Sequence, residues 1–112
     1  MAAPDLETAI PKRRYQFGGF VGVVLGDISS RTDEQYRYVL AMIPEGESDP
    51  ALYVAAVADP AGGYRLRLTA RALEKELPAE ERWGDLDIFA NDALAFAAQA
   101  LGLTDERPFR LM

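Results

Sequence analysis

The chain contains no cysteine and no histidine. Without thiols it forms no disulfide, thiolate nucleophile or cysteine-ligated zinc site. Without imidazole it builds no Ser-His-Asp triad, and a general base near neutral pH would have to be a perturbed Asp, Glu, Lys or Tyr. No catalytic residue, metal-ligand set or cofactor is therefore expected, and the balance leans away from an enzyme. Long hydrophobic runs are lacking too. The longest apolar stretch, Phe17 to Leu25, falls well short of the roughly 20 residues that span a bilayer. Residues 1–11 carry Asp5 and Glu7 and no apolar run, unlike a secretory signal. No membrane partner and a cytoplasmic location are expected. Lysine is scarce beside arginine and alanine, a composition that suits a high-GC bacterial genome.

What is present is an ordinary globular balance. The 112 residues are 49% hydrophobic and 27% charged, which fits one domain with its own core. The net charge of −6 argues against nucleic-acid binding, which normally needs a basic patch. From residue 72 onward nine acids face four bases, whereas residues 12–71 hold seven acids and eight bases. The acidic half is ordinarily a solvated face. It also leaves open an acidic inhibitor of a nucleic-acid-binding protein.

Periodicity organises the chain. Arg14 to Ile28 alternates with β-branched content and reads as a long strand. Its glycines Gly18, Gly19, Gly22 and Gly26 lack a phosphate-loop order, so they read as structural. Residues 35–43, 51–58 and 64–70 read as three further strands joined by connections too short for parallel crossovers. Leu73 and Leu77, four apart, suggest a short helix over residues 70–77 ended by Pro78. A last helix is expected to Leu101, capped by Asp85 or Asp87 and stopped by Gly102. Capping also explains these carboxylates, with Asp92, better than metal or acid–base chemistry does. The expected fold is α+β: a four-stranded antiparallel meander followed by two C-terminal helices packed on one sheet face. Residues 1–11 are read as a flexible arm, 12–103 as the domain and 104–112 as a tail.

Two faces of this sheet are unequal to one set of helices. Phe17, Val21, Val23, Leu25, Tyr38, Leu40, Met42, Leu52, Val54, Leu66 and Leu68 are assigned to the face under the helices. Phe20, Val24, Val39, Ile43, Tyr53 and Val57 fall on the other, too apolar for a solvated face. They are the candidate interface for a homodimer or another protein partner, unless the N-terminal arm folds back over them. Arg37, Arg65 and Arg67 border that face as candidate contacts for an anion or an acidic partner. The leading expectation is a small, acidic, non-enzymatic interaction or accessory protein. The competing class is a small-anion-binding protein or enzyme with a pocket between sheet and helices.

Overall fold

The computed structural model describes residues 3–112. Seven strands form one antiparallel sheet: β1 Leu6–Phe17, β2 Phe20–Ser30, β3 Tyr36–Pro44, β4 Leu52–Ala58, β5 Tyr64–Ala70, β6 Leu73–Glu80 and β7 Phe109–Arg110. Their spatial order is β6-β5-β4-β3-β2-β1-β7. A 3₁₀ turn, Glu81–Gly84, leads into the single helix of the described residues, α1 Leu86–Leu101. The α+β class stands, but the four-stranded meander with two helices does not.

Two local readings account for the difference. The stretch expected as one long strand is a hairpin. Gly18 and Gly19 both take positive φ, 50° and 84°, and turn the chain between Phe17 and Phe20, which pair across the turn. Two consecutive left-handed residues match the twist of the flanking strands, and glycine takes that conformation without a Cβ clash. The segment expected as a helix is edge strand β6. Arg71 and Ala72 form a two-residue connection, and Ala70 pairs with Leu73. Residues four apart share a face on a strand as well as on a helix, so Leu73 and Leu77 did not separate the two. Pro78 falls where the β5–β6 register shifts, between the pairs Leu66–Leu77 and Tyr64–Glu80. Such an irregularity on an edge strand is where a sheet accepts proline.

Helix α1 begins at Asp85, whose carboxylate accepts from the Ile88 amide at 3.1 Å. It ends at Gly102, left-handed at φ 71°, whose amide donates to the Ala98 carbonyl. Phe89, Ala90, Ala93, Leu94 and Ala97 turn inward and pack across β3, β4 and β5. They bury Tyr38, Leu40, Met42, Leu52, Val54, Leu66 and Leu68, with Phe17 and Trp83, in the main core. Gly22 permits this approach: a Cβ there would lie 3.1 Å from the Met42 sulfur and 3.6 Å from Leu94.

The opposite face holds a smaller core of Tyr36, Val39, Ala55 and Val57, flanked by Leu6, Leu25, Ile28 and Tyr53. Residues 6–11, read from sequence as an arm, are the first half of β1. The β1–β2 ladder carries three register shifts over that half, each adding local twist. The hairpin's outer end curls so that Leu6 reaches the second core. The Arg31 amide donates to the Asp5 carbonyl at 3.0 Å and fastens the curl. Residues 1 and 2 of the expected arm lie outside the described residues. Within the expected tail, Phe109 and Arg110 pair with Gln16 and Tyr15.

Candidate functional site

The hairpin at Gly18–Gly19 resets the parity of β2. Phe20 and Val24 therefore lie on the helix side, with Val24 in the main core. Leu25, assigned from sequence to the helix side, packs in the second core instead. Of the other candidate interface residues, Val39 and Val57 are 0% and 1% exposed under the curled hairpin and the side chains around it. Ile43 and Tyr53 are half-buried at the opposite end of the same face. The second face is thus closed over Val39 and Val57 and open near Ile43 and Tyr53.

The three candidate arginines are not one cluster. Tyr36 pairs with Val57 and Tyr38 with Ala56, which leaves Arg37 as the extra residue of a bulge. The bulge turns Arg37 toward the helix side, where its Nε donates to the Gly84 carbonyl at 3.3 Å and its guanidinium lies over the Tyr38 ring. Arg65 and Arg67 stay on the second face, but acids of the same chain occupy them. Both terminal nitrogens of Arg67 donate to the two oxygens of Glu34, at 2.9 and 2.8 Å. Its Nε donates to Glu76 at 2.9 Å. Arg65 reaches the other Glu76 oxygen and Asp59, each at 3.2 Å. The Tyr36 hydroxyl donates to Glu34.

This network sets its own titration. The Arg67 guanidinium holds the Glu34 carboxyl below the usual carboxylate range, against the opposing effect of burial. Glu34, with Glu76, raises the Arg67 pKa. Burial pushes the Tyr36 hydroxyl up, helped by the Glu34 charge. A hollow beside the network is lined by Pro4, Asp5, Thr32, Glu34, Tyr36, Arg67, Thr69 and Glu74. Three carboxylates and one arginine make it a poor anion site. Among the described residues no group of three or more acids is placed to hold a metal ion.

Apolar surface is left open elsewhere. Helix α1 stops short of the edge strand, so a groove of about 310 Å³ runs between α1 and β6. Leu66 forms its floor, Leu77, Trp83 and Phe96 its walls, and Ala95 and Gln99 its helix rim. Arg82 and Asp92 close one end, 3.4 Å apart. Asp92 also accepts the buried Trp83 indole N–H at 2.9 Å. Along β6, Leu73 and Leu77 remain 36% and 38% exposed on the groove side. Glu74 and Glu76 alternate onto the other face, opposite Thr69 and Arg67. Among the described residues no strand lies beyond β6, so half of its backbone amides and carbonyls face outward. The alternation could not reveal this surface while the segment read as a helix. The charged run Glu74-Lys75-Glu76 was the signal available, since edge strands carry such residues.

A second groove separates α1 from the chain's last segment, lined by Phe17, Leu94, Ala98, Leu103 and Pro108. That segment is itself exposed: Phe109 is 68% accessible, Leu111 and Met112 52% each. No helix among the described residues is long and apolar enough to cross a membrane. Comparison of the chain with protein-family models, with curated proteins and with solved structures finds no match.

Proposed function

We propose that this chain is a non-enzymatic interaction protein of the cytoplasm that binds extended polypeptide along β6. The observation that carries it is the pairing of an open strand edge with an apolar groove beside it, floored by Leu66 and bordered by Leu77 and Phe96. Strand addition uses these two features together. Main-chain hydrogen bonds along the edge supply affinity, and pockets for alternate side chains supply specificity. Arg67 donates from all three nitrogens to Glu34 and Glu76, and Arg65 donates to Glu76 from one, which weighs against the anion-binding alternative.

A selection from random displayed decapeptides tests this directly. Extended peptides with apolar residues at alternate positions are expected to be enriched on the wild-type protein. They are expected to lose binding to a Leu77→Asp variant whose circular dichroism and unfolding midpoint stay close to wild type. Failure to enrich any peptide, or equal binding to the variant, would overturn the assignment. Homodimerisation through the open end of the second face is a separate reading, favoured by half-buried Ile43 and Tyr53 on one face. Peptide binding that is insensitive to Leu77→Asp but lost in Ile43→Glu would move the site there.

A further inference from the structure

We infer that the natural occupant of the β6 edge is the segment Arg107–Met112 of a second copy of this chain. The inference rests on β6 being a strand-addition site, and three independent features identify the occupant.

The first is charge. On strand β6 Glu76 is held by Arg65 and Arg67 and Glu80 by Arg82, while among the described residues Glu74 makes no ion pair; residues 107–112 carry Arg107 and Arg110 and no acidic side chain. An acidic chain thus has a basic segment at one edge of its sheet and an acidic strand at the other. The edges lie six strand steps apart, roughly 29 Å at about 4.8 Å per step. The two complementary strands therefore meet between copies, head to tail, as in a heterologous contact.

The second is alternation. On β6 the apolar Leu73 and Leu77 point to the groove side and Glu74 and Glu76 to the other. In the last segment Phe109 and Leu111 share one parity, and Arg110 takes the opposite one. Laid antiparallel along β6 with Arg110 opposite Glu74, such a strand sets Leu111 against Leu73 and Phe109 against Lys75, diagonal to Leu77. A slip of one residue would exchange every side chain between faces and set arginine against leucine. The pattern therefore selects which face each side chain takes.

The third is availability. In the structure the segment is held to β1 by pairing at only Arg110 and Phe109, with further bonds to the Arg14 carbonyl. Its three large apolar side chains are each more than half exposed. Little apolar burial is lost when it leaves β1, and the new site offers more.

The test combines sedimentation with a labelled peptide. The 112-residue chain is expected to show a weight-average mass rising above 12.3 kDa with concentration, less steeply as salt is added. A chain ending at Glu106 is expected to stay at the monomer mass, and so is the untruncated Phe109→Asp/Leu111→Asp variant should the truncation fold poorly. A fluorescent peptide of residues 107–112 is expected to bind the truncated chain. Glu74→Lys should weaken that binding about fivefold, and an Arg110→Glu peptide should recover it on the Glu74→Lys protein. Unchanged self-association after both tail changes, or equal peptide binding to Glu74→Lys without charge-swap recovery, would overturn the inference. If the displayed peptides still bind through Leu77 in that event, the β6 site stands and only its occupant is wrong.

Discussion

At the scale of single residues, Glu34 carries the clearest electrostatic consequence. Its carboxylate grips Arg67 through both oxygens and lies over the second core. Because its folded pKa is depressed, its contribution is present above the carboxylate's unfolded value, about 4.3. It is lost as pH falls through the lower folded value. Glu34→Gln should therefore unfold at lower urea than wild type at pH 7, with the difference closing as pH is lowered toward 3. A difference that stays constant to pH 3 would show that the ion pair is not its source. The side chain is 39% accessible, so solvent screening keeps the effect modest. The same residue explains why the arginines looked like a binding site in the sequence. Parity places Arg65 and Arg67 on one face correctly, but nothing local says that Glu34, 33 positions away, closes over Arg67. The bulge that carries Arg37 to the other side is likewise set by pairing with β4, not by its own neighbours.

At the scale of elements, the β1–β2 turn decides which residues face the helix. Gly19 has φ 84° and open space around its missing Cβ, so substitution there meets backbone strain alone. Gly19→Ala is expected to cost about 1–2 kcal/mol, the penalty of a left-handed non-glycine residue, measured by chemical denaturation. Gly19→Asn should cost less, because asparagine tolerates that conformation better. Equal destabilisation by both would point to sterics rather than to backbone conformation. The glycine pair was read as structural within one long strand, because the apolar alternation on either side ran through it as if unbroken. Strands β3, β4 and β5 were legible because alternation and turn residues agreed. Helix α1 was legible from its cap and its stop. Strand β6 was not, since Leu73 and Leu77 fit both periods and Pro78 read as a helix end. Only pairing with β5 distinguishes them.

At the scale of the whole molecule, one helix and one curled hairpin share the covering of a sheet too wide for either. Helix α1 covers the middle strands, and the outer half of the β1–β2 hairpin covers the second core. What neither reaches is the β6 edge, its groove and the segment at the far edge. The sequence reading placed the uncovered apolar surface on the second sheet face, where the hairpin instead buries Val39 and Val57. It could not place that surface at β6, because this depends on which strand ends the sheet.

The most direct measurement is an amide chemical-shift titration of the chain ending at Glu106 with a peptide of residues 107–112. Strand addition should shift the amides of Glu74 and Glu76 and the signals of Leu77, Phe96 and the Trp83 indole, leaving Ile43 and Tyr53 in place. Shifts confined to Ile43, Tyr53 and their neighbours, or no shifts at saturating peptide, would contradict the account.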